Sequence, residues 1–135
     1  MTKRKQKIVP GVESNTGAYS PGILVEESLF VSGQGPLNPG TRKIIGRTIE
    51  EQTRQTLNNV RAVLNAGGCD MNDCVKVTAY LKDIKHFDRY NAVYRTFFKD
   101  PLPARTTVQA KLWGGILVEI DAIAVKGCGK RKHAD

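Results

Sequence analysis

The sequence predicts an α+β fold in which two helices cover one face of a β-sheet. Several short runs alternate apolar and polar residues, as half-buried strands do, and two longer segments repeat apolar residues at helical spacing. These segments follow one another as strands, helix, strand, helix and strands, an order typical of α+β proteins. At 135 residues, of which 40% are hydrophobic, the chain is expected to form one domain.

The first predicted strands lie within ILVEESLFVSGQ, residues 23–34. Polar residues 26–28 interrupt the apolar pattern there, so we expect two strands joined by a turn. A loop rich in proline and glycine, GPLNPG, follows at residues 35–40. This part of the chain therefore predicts two strands and a loop before the first helix.

The first helix is predicted to begin after Thr48. Thr48 and Glu51 have the spacing of a capping box, in which the two side chains accept hydrogen bonds from free amides at a helix start. Apolar residues then recur at helical spacing over residues 49–64. Gly67 and Gly68 are expected to end the helix, because glycine adopts the left-handed C-cap conformation at little cost.

A strand, a second helix and two further strands are predicted in the second half of the chain. CVKVTAYL, residues 74–81, alternates as a strand, and Asp83 is predicted to cap the second helix. The segment PLP at residues 101–103 stops that helix, and alternating runs at residues 105–112 and 117–125 predict the last strands. The aromatic face of the second helix comprises Phe87, Tyr90, Tyr94, Phe97 and Phe98.

Each of the last two predicted strands carries a charged residue, Arg105 in the first and Glu119 in the second. In residues 117–125 the apolar side chains of one face are expected to contact the core, and Glu119 lies on the other face. The outward faces mix charges with large aliphatic side chains and are too apolar for open water over their whole area. We therefore expect the outward face to pack against another subunit, with Arg105 and Glu119 lining the interface.

The formal net charge of +8 is concentrated at the two ends of the chain. Residues 1–7 carry +4 and residues 126–135 carry +3, which leaves +1 for the middle. We therefore predict a nearly neutral domain at residues 8–126, flanked by basic tails at residues 1–7 and 127–135. Such tails are expected to bind nucleic acid at most weakly and without sequence preference.

The three cysteines and two histidines predict neither a metal site nor a disulfide framework. Cys69 and Cys74 have no Cys or His pair nearby to complete a set of four ligands. An odd number of cysteines without a secretory signal argues against structural disulfides. The basic start MTKRKQK is followed by no apolar signal core, and no apolar run is long enough to span a membrane. The sequence thus predicts a cytoplasmic protein without a metal or cofactor.

Five segments in this order, FVSGQ, EEQTRQTLNNVRAVL, VKVTAYL, PARTTVQ and LVEIDAIAV, resemble the Rid family, also called YjgF/YER057c/UK114. The likeness covers residues 8–126. It implies a chorismate-mutase-like fold with a mixed sheet of about six strands, and a homotrimer with clefts between subunits. It also implies a hydrolytic deaminase that converts reactive 2-enamino and 2-imino acids into 2-keto acids and ammonia.

The resemblance further implies a set of site residues. Arg105 matches the arginine that clamps the substrate carboxylate, Glu119 matches the glutamate that positions water, and Tyr19 matches a catalytic tyrosine. The implied substrate-binding residues are Ser32, Gly33, Phe87, Asn91 and Thr107. The chain departs from the family pattern at Thr107, where many members have cysteine, and at Trp113, in a turn that often reads Leu-Pro-x-Gly. The first departure implies that a thiol is not required, and the second is expected to reshape the cleft rim.

Hydrolysis of an imine needs few groups, because a protonated imine is already a good electrophile. A planar guanidinium such as that of Arg105 suits a carboxylate bidentately, and Glu119 can orient a water or transfer its proton. A tight hairpin of the last two strands would hold these residues ~17 Å apart, at about 3.4 Å per residue. Either the strands are not neighbours, or the site combines Arg105 of one chain with Glu119 of the next.

Two other functions stay open at this point. An RNA-directed endoribonuclease or translation inhibitor would use the basic tails, although the sequence has no histidine pair for acid–base cleavage and no stripe of aromatic and basic residues. A non-catalytic trimer would bind small molecules in the same cleft. Each site residue also has a structural alternative: Arg105 and Glu119 could form an interface ion pair, and Tyr19 could anchor a loop.

Overall fold

Residues 3–11 and 17–130 are described by the structure, which is a computed structural model. The strands are β1 (Lys5–Ile8), β2 (Gly22–Val25), β3 (Ser28–Gln34), β4 (Cys74–Leu81), β5 (Ala104–Gln109) and β6 (Val118–Val125). The helices are α1 (Ile49–Ala66) and α2 (Phe87–Tyr94). No helix in the described ranges is both long and apolar enough to cross a membrane.

The strands form a mixed sheet in the order β1-β2-β3-β6-β4-β5. Neighbouring strands are antiparallel except β4 and β5, which are parallel and are joined through α2. β6 lies between β3 and β4, so α1 connects two strands that are not neighbours. The predicted α+β fold, with two helices on one face of a mixed sheet of six strands, is confirmed.

The two ends of α1 form as the sequence predicts. The Thr48 hydroxyl accepts a hydrogen bond from the Glu51 backbone N–H at 3.1 Å, and the Glu51 carboxylate accepts one from the Thr48 N–H at 3.1 Å. The helix ends at Ala66 with Gly67 as its C-cap, and the next residue, Gly68, has a φ of +83°, a left-handed conformation that glycine adopts without strain. These caps hold the apolar side of α1 against β3 and β6.

The core lies between the helices and the inner face of the sheet. Leu57 and Val60 of α1 are fully buried, as are Leu29 of β3 and Ile120 of β6. Burying one such aliphatic side chain stabilises the fold by about 1.5–3 kcal/mol. Tyr90 of α2 is also fully buried, and its hydroxyl contacts Thr107 of β5.

Aromatic residues form a row along the core, although α2 ends at Tyr94 and the predicted helix residues Phe97 and Phe98 lie beyond it. Asp83 caps the short 3-10 turn Ile84–His86 by accepting from the Lys85 N–H at 2.9 Å, and this turn leads directly into α2. Successive ring centroids are 5.8, 5.7 and 4.6 Å apart in the row Phe87, Tyr90, Tyr94 and Phe98. Phe97 leaves the row, and its ring centroid lies 4.8 Å from the guanidinium carbon of Arg61.

The domain extends past the predicted boundaries at residues 8 and 126. Lys5–Ile8 pairs with β2 as an edge strand, so part of the predicted tail 1–7 belongs to the sheet. At the other end, the Gly129 N–H donates to Asp73 Oδ1 at 2.8 Å, and the Cys128 thiol donates to the Asp73 carbonyl at 3.3 Å. Residues 1–2 and 131–135 of the predicted tails lie outside the described residues.

The last two predicted strands are not neighbours, and the first of them is shorter than predicted. β5 ends at Gln109 rather than at residue 112, and β4 lies between β5 and β6. A tight hairpin between β5 and β6 is therefore wrong. The cause is the parallel pairing of β5 with β4, because a crossover through α2 places β5 at the sheet edge, on the far side of β4.

Candidate functional site

Arg105 lies on the edge strand β5, on the face that the helices cover. β5 pairs with β4 so that Arg105 is level with Val77, a fully buried core residue. Arg105 Nη1 donates to Asn91 Oδ1 at 2.7 Å. The guanidinium carbon lies 4.5 Å from the ring centroid of Tyr94 and 5.5 Å from that of Phe87, within cation–π range. We define the arginine cluster as Arg105, Asn91, Phe87, Tyr90 and Tyr94.

The arginine cluster holds its cation with uncharged groups. Within residues 3–11 and 17–130, no carboxylate forms an ion pair with Arg105, and the side chain is half-buried. A guanidinium has five N–H donors, and Asn91 accepts from Nη1 alone. The other donors form a rigid fork of the kind that binds a carboxylate bidentately.

Thr107 lies two residues beyond Arg105 on the same face of β5. Its hydroxyl oxygen is 3.2 Å from the Tyr90 hydroxyl. The ring centroid of Tyr90 lies 5.7 Å from the Arg105 guanidinium carbon. Thr107 therefore supports one wall of the arginine cluster.

Glu119 lies on the opposite face of the sheet. In β6 it pairs with Tyr80 of β4, on the face without helices. Glu119 is half-buried, and this burial, together with the nearby Asp121 carboxylate, raises the pKa of Glu119 above the usual value for glutamate. The Tyr80 hydroxyl donates to Asp121 Oδ2 at 3.0 Å. The raised pKa makes Glu119 a stronger base than a solvated glutamate.

A cleft surrounds Glu119 at the end of β3. A Cβ atom on Gly33 would lie 2.5 Å from Glu119 Oε2, so a larger residue at this position would displace the carboxylate from its present place. Tyr19, Gly33, Trp113 and Glu119 line one cavity of about 170 Å³. We define these four residues as the glutamate cleft.

Ser32 anchors the loop that carries Tyr19. The Ser32 hydroxyl donates to the Ser20 carbonyl at 2.6 Å, and the Ser32 N–H donates to the Pro21 carbonyl at 2.9 Å. The Ser32 hydroxyl is therefore engaged with the loop, while Gly33 forms the wall of the cleft.

The predicted site residues fall into two groups on opposite faces of one sheet. Phe87, Asn91, Arg105 and Thr107 lie on the helix face, and Tyr19, Gly33 and Glu119 lie at the glutamate cleft. The prediction that Arg105 lies on the outward face is wrong. The register of β5 with β4 places it level with the buried Val77, on the inner face. Glu119 lies on the outward face, as predicted.

Two residues that shape these groups are not identified from the sequence. The sequence indicates Tyr94 only as part of an aromatic helix face, yet its ring packs under the Arg105 guanidinium. Asn59 of α1 donates through Nδ2 to the carbonyls of Gly35 and Leu37, at 2.9 and 2.8 Å, and so holds the loop that borders the cavity. In the sequence, Asn59 could be recognised only as an amide side chain at the border of the apolar face of α1.

Two of the three cysteines, Cys69 and Cys74, are buried in the core. Burial raises the pKa of the Cys69 thiol to about 11 and that of Cys74 to about 12, so both stay protonated at neutral pH. Across the described part of the chain, no group of three or more His, Cys, Asp or Glu residues could hold a metal ion.

The fold places the protein in a class of small α+β proteins, in which two helices cover one face of a mixed six-stranded sheet. A family model described as Endoribonuclease L-PSP matches residues 12–126. A RutC family protein of Saccharolobus solfataricus is 46% identical over 111 residues, which cover 82% of this chain and 88% of the relative. The chain therefore belongs to the YjgF/Rid family, and the resemblance found in its sequence is confirmed.

Two further relatives have more specific names. A 2-iminobutanoate/2-iminopropanoate deaminase of Rattus norvegicus is 41% identical over 112 residues, which cover 82% of each chain. A crystal structure of E. coli TdcF with bound serine has 32% sequence identity and a TM-score of 0.83, and the match covers 91% of this chain and 100% of TdcF.

Proposed function

We propose that the protein is a hydrolytic deaminase that converts 2-enamino and 2-imino acids into 2-keto acids and ammonia. The observation that carries the proposal is the Arg105 guanidinium, oriented by Asn91 and three aromatic rings and without a carboxylate partner in the described ranges. The name of the rat relative gives imino acids as its substrates. The serine bound to TdcF, like a 2-imino acid, carries a carboxylate next to a carbon–nitrogen bond.

Arg105 binds the substrate carboxylate in this proposal. Charge-assisted hydrogen bonds from a guanidinium to a carboxylate are about twice as strong as those between neutral groups. Asn91 acts through Arg105, because its amide oxygen fixes the guanidinium by the bond to Nη1. Phe87 and Tyr94 cover the guanidinium and limit its orientations.

Glu119 positions and activates the water. The water oxygen bonds to the carbon of the protonated imine while one water proton passes to Glu119, which gives a neutral carbinolamine. Glu119 returns that proton to the nitrogen, the C–N bond breaks, and the hydroxyl oxygen forms the keto group. The departing ammonia takes the hydroxyl proton, so one protonated imine and one water give one keto acid and one ammonium ion. A base with a raised pKa suits this transfer, and Tyr19 hydrogen-bonds the substrate at the cleft.

A complete site requires two copies of the chain in this proposal. Arg105 and Glu119 lie on opposite faces within one chain, so they cannot both reach a small substrate there. The outward face also exposes large apolar side chains, with Phe30 45% and Val108 40% exposed. Apolar surface of this kind is typical of subunit interfaces. A homotrimer would form three such interfaces, each joining Arg105 of one chain to the glutamate cleft of the next.

The proposal is tested by the rate of ammonia release from 2-imino acids generated in place from amino acids by an oxidase. Free imines hydrolyse without a catalyst, so the rate is compared with a reaction that lacks the protein. We expect the wild type to accelerate release and Arg105→Ala to lose at least about 100-fold in kcat/KM, because a charge-assisted carboxylate contact is lost. Arg89→Ala is the matched control, since it removes an exposed ion pair with Glu50 elsewhere on the surface. Equal rates with and without the wild-type protein would refute the function.

A further inference from the structure

Trp113 places an exposed indole at the rim of the glutamate cleft. It begins the short 3-10 turn Trp113–Gly115 between β5 and β6 and lines the same cavity as Glu119. The side chain is 54% exposed, although tryptophan is highly buried on average in folded proteins. None of the deamination steps above uses the indole, so they leave its exposure unexplained.

The cavity beside Trp113 is larger than a small imino acid needs. Its volume of about 170 Å³ is comparable to that of an engineered cavity of about 150 Å³ that binds benzene. Its lining is mixed. Polar and charged groups are present, and beside them lies aromatic and aliphatic surface from Tyr19, Pro21, Leu37 and Trp113. A methyl or ethyl side chain would leave most of this space to water, whereas an aromatic or branched side chain would fill it.

We infer that the glutamate cleft is a subsite for a large apolar side chain of the imino acid, foremost an aromatic one, and that Trp113 is its specificity-determining wall. The inference rests on the deaminase function proposed above. When the imine carbon lies near Glu119 and the carboxylate is on Arg105, the substrate side chain extends along the indole. An aromatic side chain then gains from ring–ring contact in addition to the burial of its surface.

An acidic side chain fits this cavity less well than an apolar one. Lys7 and Arg42 also line the cavity, so two cations there attract a second carboxylate. That carboxylate would share the cavity with Glu119, whose pKa burial and Asp121 already raise. Another negative charge there would further disfavour the ionised form of Glu119, which accepts the proton. The imine formed from glutamate is therefore the substrate whose kcat/KM is most useful to compare with that of the apolar imines.

The first test compares kcat/KM for the 2-imino acids formed from alanine, leucine, phenylalanine and glutamate. We expect the wild type to favour the phenylalanine-derived imine over the alanine-derived one by at least about tenfold, within the range that apolar pockets reach. Trp113→Ala should reduce this ratio about tenfold, and Trp113→Phe, the conservative variant, should keep most of it. A ratio near one in the wild type, a preference for the glutamate-derived imine, or a ratio unchanged in Trp113→Ala would each overturn the inference.

The second test measures binding without catalysis. Trp113 is the only tryptophan of the chain, so intrinsic fluorescence reports on this one side chain. The stable keto acids pyruvate, 4-methyl-2-oxopentanoate and 2-oxoglutarate serve as probes for titration. We expect 4-methyl-2-oxopentanoate to change the emission at a concentration at least about tenfold lower than the other two.

The two tests separate failure of the subsite from failure of the function. If the wild type accelerates no imine hydrolysis, the deaminase proposal fails, and the titration alone decides whether the cleft selects large apolar groups. In that case, equal half-saturation for the three keto acids would overturn the subsite. If the wild type hydrolyses imines, the deaminase function stands. The ratio of kcat/KM values and its response to Trp113→Ala then decide whether the subsite inference is correct.

Discussion

The surroundings of Arg105 in the arginine cluster stabilise its charge, whereas the surroundings of Glu119 in the glutamate cleft disfavour its charge. Two neighbours stabilise the charge of Arg105. Asn91 Oδ1 lies 2.7 Å from Arg105 Nη1, and the ring centroid of Tyr94 lies 4.5 Å from the guanidinium carbon. Burial and the Asp121 carboxylate disfavour the charge of Glu119 and raise its pKa. A permanently charged guanidinium suits the binding of an anion, and a carboxylate with a raised pKa suits proton exchange.

This contrast indicates a division of labour between the two faces of the sheet. If the arginine cluster binds and the glutamate cleft transfers protons, variants in the first should act mainly on KM. Variants in the second should act mainly on kcat. Because the faces are separated within one chain, the two kinds of variant should also be able to complement one another between chains.

Glu119→Gln is expected to produce the largest effect on kcat. The substitution keeps the shape of the side chain but removes the base, so kcat should fall by about 10²–10⁴-fold while KM changes little. Steady-state ammonia release measures both values. Glu27→Gln is the matched control, because Glu27 is exposed in the turn between β2 and β3. A rise in KM without a fall in kcat would mean that Glu119 binds the substrate and does not transfer protons.

Mixing inactive Arg105→Ala and Glu119→Gln chains is expected to restore activity. If each site joins Arg105 of one chain to Glu119 of the next, random exchange of subunits restores roughly one quarter of the sites. At substrate concentrations well below KM, where both parents are nearly inactive, activity should therefore rise to about a quarter of the wild-type value. Mass spectrometry of the mixed assemblies verifies the exchange. Mixtures that exchange but stay as inactive as both parents would refute the cross-chain site.

Asn91→Asp is expected to weaken substrate binding by supplying Arg105 with its own carboxylate. Asn91 Oδ1 already lies 2.7 Å from Arg105 Nη1, so the new charge would compete with the substrate carboxylate. We expect KM to rise about tenfold, equivalent to about 1.4 kcal/mol, with a smaller change in kcat. Asn91→Ala removes the hydrogen bond without adding charge and should raise KM less. Equal increases in the two variants would show that orientation, rather than competition, sets the effect.

The elements that the sequence predicts well are those whose signals are local. The capping box of Thr48 and Glu51, the alternation of β4 and the helical spacing of the aromatic residues in α2 each depend on residues within a few positions. β1 has no such signal, because KQKI reads as part of a basic tail. Its lysines are typical of an exposed edge strand, and of its side chains only that of Ile8 is buried.

The face of Arg105 could not be predicted because it depends on a distant partner. Alternation assigns Arg105 and Thr107 to one face of β5 and Thr106 and Val108 to the other, and it favours the wrong face for Arg105 because the second set is the more apolar. Parallel pairing with β4 decides between them, and that pairing depends on the path through α2. In β6 the alternation is unambiguous, so the outward face of Glu119 is predicted correctly.

Thr107→Ala is expected to lower stability more clearly than activity. It removes the contact with the Tyr90 hydroxyl at 3.2 Å, which should reduce the free energy of unfolding by about 1 kcal/mol. The loss of activity should be much smaller than that of Arg105→Ala, since Thr107 supports a ring and donates no proton to the substrate. Denaturant unfolding at fixed protein concentration and ammonia release measure the two effects. Thr107→Ser keeps the hydroxyl and should retain the stability. A loss of activity in Thr107→Ala as large as that of Arg105→Ala would show that the hydroxyl takes part in the reaction.

Asp121→Asn is expected to have the smallest effect, a shift of the pH profile with little change in its plateau. The ionised form of Glu119 is the active base, so kcat/KM falls as pH falls through the pKa of Glu119. Burial is the larger cause of the raised pKa, and the Asp121 charge is the smaller one. Removing that charge lowers the pKa, so the acid limb should move to lower pH, and the variant should keep more of its activity in mild acid. The Tyr80 hydroxyl can still donate to the amide oxygen at position 121, which preserves the local geometry.

Asp88→Asn, on the exposed side of α2, is the control that should leave the acid limb of the pH profile in place. A limb that stays in place or moves to higher pH in Asp121→Asn would mean that the group titrating in the profile is not Glu119.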